Sequence, residues 1–351
     1  MRACFSVTFA ASILTAAISF AAEDDFGLPP DAPHQPVEDA AAPLAEVDEA
    51  AVRKAIEKGL EYLHANQNKD GSWSCGGYAR DPGISGIAVM AMMSQGNVPG
   101  RGKYGEDVRN AVSFIAKSVN PYSGFVGQGP SGRMYGHGFA TLSLAEAYGM
   151  DQNDDLHEKL KKAVRLILRA QKEDGGWRYD PNPQGMSDLS VTVCQVMALR
   201  AARNAGIKVP KEAIDRSIEY VKKSANPDGS FRYMLSQGSG KSSALTGAGL
   251  TTLFGAGEYD TPEIKAGIDY LKQATPGSFS HYYYGHYYAA QAMYQAGGEN
   301  WTSWRRKVVP ELLRKQQQDG SWTGEIGDVY CTAMACIVLQ VDNCYLPIFQ
   351  R

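Results

Sequence analysis

The chain has 351 residues, of which 35 are Lys or Arg and 38 are Asp or Glu, so its net charge at pH 7 is −3. Hydrophobic residues make up 44% of the chain, which is enough for a large buried core. The charge is nearly balanced and no basic stripe stands out, which argues against a surface that binds nucleic acid. We therefore expect a globular protein without a nucleic-acid partner.

Residues 1–21 have the pattern of a secretory signal peptide. A basic residue stands near the start, an apolar run covers residues 5–18, and Ser19, Phe20 and Ala21 form a small-x-small cleavage site. The apolar run is too short for a comfortable membrane span. We predict no membrane span, cleavage after Ala21, and a secreted or periplasmic protein.

Residues 22–50 are acidic and rich in proline. They contain nine Asp or Glu, five Pro and no Lys or Arg. A segment of this composition cannot bury enough apolar surface to hold a fixed structure, so we predict a disordered linker. Without the signal and the linker, the predicted domain at residues 51–351 carries a net charge of +5, which we interpret as ordinary surface charge.

From residue 51 onward one unit recurs six times. In the third copy, residues 160–168 are apolar at the spacing of one helix face, and residues 190–202 are apolar on all sides. A turn with glycine and an aromatic residue separates the two segments. Such a repeat predicts six helical hairpins, each with an outer and an inner helix. The aromatic residues of the turns, 43 to 54 residues apart, are Trp73, Phe125, Trp177, Phe231, Phe279 and Trp322.

The turn has a physical explanation that can be tested on coordinates. Glycine allows a positive φ, so we expect it to end the outer helix as a C-terminal cap. The aromatic ring can pack back onto the helix before it. A glutamine precedes three of the turns, at Gln67, Gln171 and Gln316, and we expect it to tie the helix end to the turn by hydrogen bonds.

The turns with glutamine and tryptophan resemble the QW motif of the squalene–hopene cyclase and prenyltransferase β-subunit superfamily. The resemblance covers about residues 51–340 and is strongest to secreted bacterial proteins of the prenyltransferase and squalene oxidase repeat type. It implies an all-α fold, a closed α/α toroid with six inner helices inside six outer ones around a central cavity. Longer insertions follow the turn aromatics, so we expect loops to gather over one rim of this α6/α6 barrel.

The resemblance also implies a place for acid chemistry. Class II terpene cyclases protonate an alkene with an Asp-x-Asp-Asp motif at the start of an inner helix, and only Asp188 stands at the equivalent place here. A helix cap is the alternative role for this residue. His137 and Glu146, on the second inner helix, are a second candidate for acid–base catalysis, with structural hydrogen bonding as their alternative.

Protein prenyltransferases of the same superfamily use zinc, held by Asp, Cys and His at the starts of inner helices. The candidates here are His286, Asp328 and Cys331, and the last two share a helix face at i and i+3. Their order and spacing differ from the family pattern, so no cofactor is firmly implied and zinc is left open. The alternative is a capping Asp, a packed Cys and a His within an aromatic wall.

Residues 281–288 form an unusually aromatic entry to the fifth inner helix. Aromatic walls in this superfamily hold isoprenoid chains and stabilise cations through their π faces. Tyrosines can equally fill the space between helix layers. The residues that we predict to line a ligand cavity are Tyr135, Tyr283, Tyr284, Tyr287 and Tyr288.

Two classes of function follow from these observations. In the first, the protein binds or acts on an isoprenoid or another small apolar ligand, with terpene cyclase-like or prenyltransferase-like chemistry if it is an enzyme. In the second, it is a non-catalytic secreted scaffold for a peptide or glycan. A divergent carbohydrate-active enzyme is a further alternative, because α/α barrels also host glycosidases and fold does not imply function.

Overall fold

The computed structural model describes residues 46–127, 133–236, 238 and 240–350. The predicted signal peptide and most of the predicted linker lie outside the described residues. The first helix begins at Glu49, inside the range predicted as linker. Its start is fixed by Asp48, whose carboxylate accepts hydrogen bonds from the backbone N–H groups of Ala50 and Ala51, both at 3.0 Å.

The described parts of the chain contain twelve α-helices, alternately outer and inner. The outer helices bury one face, whereas the inner helices are buried on most sides, as the sequence pattern predicts. The helices are α1 (Glu49–Ala65), α2 (Pro82–Met93), α3 (Gly105–Lys117), α4 (Arg133–Met150), α5 (Asp154–Ala170), α6 (Leu189–Asn204), α7 (Lys211–Lys223), α8 (Ser243–Gly255), α9 (Pro262–Gln273), α10 (Tyr282–Ala296), α11 (Gly298–Lys315) and α12 (Asp328–Val338).

The inner helices close into a ring. Each of α2, α4, α6, α8 and α10 packs against the next inner helix, and α12 packs back against α2. The outer helix α1 contacts both the outer helix α11 and the inner helix α12, so the first and last repeats cover each other. The predicted all-α toroid of six hairpins is therefore confirmed. None of the described helices is long and apolar enough to span a membrane.

Glutamines join each hairpin of the QW type to the next one. Gln316 Nε2 donates to the carbonyl oxygen of Gly320 in its own turn (3.0 Å) and to that of Ala55 in α1 (2.8 Å), across the closure of the ring. Gln67 and Gln171 make the same two kinds of bond to their own turns and to the following outer helices. The predicted tie to the turn is confirmed, and each glutamine also holds two repeats together.

The turn tryptophans pack between the outer and inner helices and are held in place by hydrogen bonds. Each is fully buried, and its indole N–H donates at 2.7–2.8 Å to a backbone carbonyl ten residues earlier, on the outer helix. Each also donates its backbone N–H to a hydroxyl of the inner helix. These donor–acceptor pairs are Trp73 with Leu63 and Ser85, Trp177 with Ile167 and Thr192, and Trp322 with Leu312 and Thr332.

The turn glycine has a different role from the one predicted. Helix α11 ends at Lys315, and Gln316 is already extended, so Gly320 is not the C-cap of the helix. Its φ of +92° brings the turn against α1, where a Cβ on Gly320 would lie 2.5 Å from the carbonyl oxygen of Lys58. The glycine is therefore needed for the close approach of two repeats.

The C-terminal segment covers one end of the toroid, the end opposite the inner-helix starts. Leu346, Ile348 and Phe349 are buried, and the short 3₁₀ helix Pro347–Phe349 packs against α6. The Phe349 ring meets Tyr287 of α10 edge to face, with ring centroids 6.4 Å apart. Among the described residues, the C-terminal segment therefore covers the end of the interior that lies opposite the inner-helix starts.

Candidate functional site

A cavity of about 370 Å³ lies at the rim where the inner helices begin. It is formed by the starts of α2, α4, α10 and α12 together with the loops that precede them. Its inner part is apolar and aromatic, as is usual for small-molecule sites. The aromatic residues of this lining are Tyr78, Tyr135, Phe139, Phe279, Tyr282, Tyr283, Tyr284 and Tyr330, with Ile84 and Ile87 beside them.

Three of the five predicted wall residues line this cavity: Tyr135, Tyr283 and Tyr284. Tyr135 meets Tyr284 edge to face at 6.4 Å. Tyr287 and Tyr288 do not line it, because they lie one helical turn further along α10, buried in the packing between helices. The prediction that these two belong to the wall is wrong. They fill the space between helices, which was the alternative given for the tyrosines.

Asp81 is a carboxyl group in the inner part of the cavity, and sequence reasoning missed it. It caps α2, and its Oδ1 accepts hydrogen bonds from the backbone N–H groups of Gly83 (2.8 Å) and Ile84 (3.0 Å). Burial raises the pKa of Asp81 even though these bonds favour the ionised form. The sequence does carry a signal, since an Asp followed by Pro82 before an apolar run is a typical helix start.

Asp188 caps α6, in agreement with the alternative given for it. Its Oδ1 accepts from the backbone N–H of Val191 (2.8 Å) and from the hydroxyl of Ser190 (2.6 Å). The side chain is fully buried, its Oδ2 has no hydrogen-bond partner among the described residues, and burial raises its pKa to about 6. Asp188 lies behind the wall, where Tyr284 donates its hydroxyl to the Ser190 carbonyl at 3.4 Å.

His137 and Glu146 do not form the predicted pair. The His137 Nδ1 accepts from the backbone N–H of Val126 (3.1 Å), its Nε2 donates to the carbonyl of Ala163 on the outer helix α5 (3.2 Å), and burial lowers its pKa to about 4. Glu146 lies nearer the opposite end of α4, where burial raises its pKa to about 8 against the opposing backbone hydrogen bond from Ile348. His137 is a neutral structural residue that faces the outer layer.

The three candidate zinc ligands do not come together. The His286 Nε2 donates to the carbonyl of Pro276 (3.0 Å), and the ring stacks on Phe279 with centroids 4.4 Å apart, facing α11 and away from the aromatic cavity. Asp328 is exposed, and Cys331 lines the cavity with its thiol pKa raised by burial to about 12. Within the described residues no three His, Cys, Asp or Glu side chains are grouped as a metal site.

The outer edge of the cavity is polar, and sequence reasoning missed this feature too. His281 Nδ1 and Glu325 Oε2 are 2.9 Å apart, and both residues line the cavity. Lys315 lines it as well, with its Nζ 4.7 Å from the centroid of the Tyr282 ring. The site therefore has an aromatic interior and a charged mouth.

Known sequences that are similar to this chain are squalene–hopene cyclases. The family model of the squalene–hopene cyclase C-terminal domain matches residues 81–245. The squalene–hopene cyclase of Bradyrhizobium diazoefficiens is 21% identical over 197 residues, covering 50% of this chain and 29% of that protein. The probable squalene–hopene cyclase of Sinorhizobium fredii is 21% identical over 201 residues, covering 50% and 30%. The matched region thus spans less than a third of these relatives.

Solved structures with the same fold include two kinds of enzyme. The type II terpene cyclase MstE from Scytonema has a TM-score of 0.61 and 14% identity, covering 85% of this chain and all of that one. The GH76A α-1,6-mannanase from a Salegentibacter species has a TM-score of 0.62 and 9% identity, covering 84% and 99%.

At these identities the structural matches show the fold alone, an α/α toroid shared by terpene cyclases and GH76 mannanases. With the sequence matches, they confirm the resemblance to the superfamily. Residues 81–245, just under half of the chain, are similar to the squalene–hopene cyclase C-terminal domain, and it is this similarity that links the chain to the squalene–hopene cyclase/prenyltransferase-like superfamily.

Proposed function

We propose that the protein binds an isoprenoid, or a similarly elongated apolar molecule, in the aromatic cavity. The observation that carries this proposal is the lining, in which the rings of Phe139, Tyr283 and Tyr284 surround a space of about 370 Å³. Aromatic side chains bury large apolar areas and offer π faces to alkene or cationic groups. The chain is proposed to do this outside the cytoplasm, after cleavage of the predicted signal.

The ligand of a structural relative supports this choice. An aspartate-to-asparagine variant of MstE has been solved in complex with geranylgeranyl dihydroxybenzoate, described as its substrate. That molecule combines an isoprenoid chain with a polar head. A ligand of the same character would place its chain against the tyrosines and its head towards the charged mouth of the cavity.

If a reaction accompanies binding, Asp81 is the acid that we propose for it. It is the carboxyl group that both lines the aromatic interior and has a raised pKa, so it retains its proton to higher pH than an exposed Asp. Asp188 stands behind the wall and caps α6. We therefore assign it a structural role.

The proposal is tested by filling the cavity. Gly136 lies on α4 and lines the cavity, and a Cβ there would make only ordinary contacts, the nearest at 3.8 Å. Gly136→Leu should weaken binding of the isoprenoid alcohol farnesol by about tenfold or more, since it occupies ligand space, as measured by isothermal titration calorimetry.

The matched control is Gly149→Leu, at the exposed end of the same helix, where a Cβ meets nothing within 4 Å. It should bind farnesol like the natural protein. If farnesol does not bind, or if both variants bind it normally, the proposed function is wrong.

A carbohydrate ligand is the second candidate. Glycosidases use two carboxyl groups on either side of a sugar, and both Asp81 and Glu325 line the cavity. One of the mannanase neighbours has been solved with α-1,6-mannotriose. Saturable binding of mannotriose that is lost in Gly136→Leu, without binding of farnesol, would favour this candidate.

A further inference from the structure

One carboxylate oxygen of Asp81 is free to contact a ligand in the aromatic cavity. Its Oδ1 caps α2, whereas its Oδ2 accepts no hydrogen bond from the described residues. The Oδ2 is not among the unpartnered side-chain atoms that the fold shields from water, and the residue is half-buried and lines the cavity. A polar group of a bound molecule can therefore reach this oxygen.

Asp81 has no basic partner within the part of the chain that the structure describes. The preceding residue, Arg80, pairs instead with Asp70 on the exposed surface, at 3.4 Å. Lys315 also lines the cavity, but its Nζ lies 3.6 Å from Oε1 of Glu311. A partly buried carboxylate without a positive neighbour is costly, so a cation supplied by the ligand would stabilise it.

The surroundings of Asp81 are suited to an organic cation. Gly136 of α4 lies beside the carboxyl group, since a Cβ on it would be 3.8 Å from Oδ1 of Asp81. The next residue along the helix, Tyr135, lines the cavity and meets Tyr284 edge to face at 6.4 Å. Aromatic faces attract ammonium groups, most strongly where water is excluded. Metal ions such as Mg²⁺ and Ca²⁺ prefer a shell of oxygen ligands, which an aromatic lining does not offer.

We propose that the cavity takes a ligand with an ammonium group, held between Oδ2 of Asp81 and the aromatic rings. The ligand is then an amphipathic amine, with its apolar chain along Tyr283 and Tyr284 and its ammonium group innermost. Asp81 is ionised in this complex, whereas its proposed role as an acid requires the protonated form. Such an amine is therefore bound without being converted. This inference rests on the proposed function and adds the charge of the ligand.

The test compares farnesylamine with farnesol, which has the same chain and an uncharged head. In calorimetric titrations near neutral pH, the natural protein should bind the amine about tenfold more tightly, as expected for a hydrogen bond to a charged group together with cation–π contacts. Asp81→Asn should abolish this preference, because asparagine caps a helix as well as aspartate does but carries no charge. Gly136→Leu should weaken binding of the amine, because the amine occupies the same cavity.

Asp48 provides a matched control. Its Oδ1 caps α1 in the same way, but the residue is exposed and lies outside the cavity. Asp48→Asn should keep the full preference for the amine. Equal binding of amine and alcohol by the natural protein, or a preference that survives in Asp81→Asn, would overturn the inference while leaving the proposed function intact. Binding of neither compound would contradict the proposed function itself.

Discussion

Gly320→Ala should lower the free energy of unfolding by about 2 to 5 kcal/mol, of which backbone strain contributes about 1 to 2 and overpacking about 1 to 3. Two costs add up. The φ of +92° is strained for alanine, and the new Cβ would lie 2.5 Å from the carbonyl oxygen of Lys58, a backbone atom of α1 that cannot move aside alone. Urea denaturation followed by far-ultraviolet circular dichroism measures the effect.

Gly257 separates these two costs. Its φ is +89°, but a Cβ there would meet nothing within 4 Å. Gly257→Ala should therefore cost only the backbone strain, about 1 to 2 kcal/mol. The difference between the two variants reports the contact between the last turn and the first helix, so equal losses would show that the ring is not closed at this point.

Glu146→Gln should make the protein progressively more stable than the natural chain as the pH rises. Burial raises the pKa of Glu146 from its ordinary 4.5 to about 8, so the folded protein keeps a proton that the unfolded chain has lost. The natural protein therefore loses stability as the pH rises from about 4.5 to 8, and glutamine does not incur this loss. The stability difference should grow by about 3 to 4 kcal/mol between pH 5 and pH 8.

Denaturation of both proteins at several pH values measures this difference. Glu212→Gln, at an exposed position on the outer helix α7, is the control and should show a nearly constant difference. A constant difference for Glu146→Gln as well would mean that Glu146 is ionised in the folded state and that its surroundings, including Arg200, stabilise the charge.

Most of the fold follows from the sequence because its determinants are local and repeated. The helix periodicity and the recurrent glycine–aromatic turns specify each hairpin, and the number of copies specifies the ring. The role of Gly320 was predicted wrongly because its partner, Lys58, lies at the other end of the chain. A positive φ can be expected from a glycine in a turn, whereas a close approach between distant repeats has no local signature.

The site was predictable only in part. The aromatic run led to Tyr283 and Tyr284, which line the cavity. The sequence pattern could not show that Tyr287 and Tyr288, one helical turn later, lie in the core instead. His137 and His286 were misassigned because their acceptors are backbone carbonyls, of Ala163 and Pro276, which leave no trace in a sequence pattern. The pair of His281 and Glu325 joins loops from two neighbouring repeats and becomes visible only when α10 and α12 are packed side by side.

Native mass spectrometry of the protein purified from cells that make it tests the central claim most directly, because it detects a molecule held in the cavity without assuming its identity. The natural protein should carry a small apolar molecule, and Gly136→Leu should not, while Gly149→Leu should carry the same mass as the natural protein. Protein that is free of any such molecule, or equal occupancy in Gly136→Leu, would contradict the claim that the aromatic cavity is a ligand site.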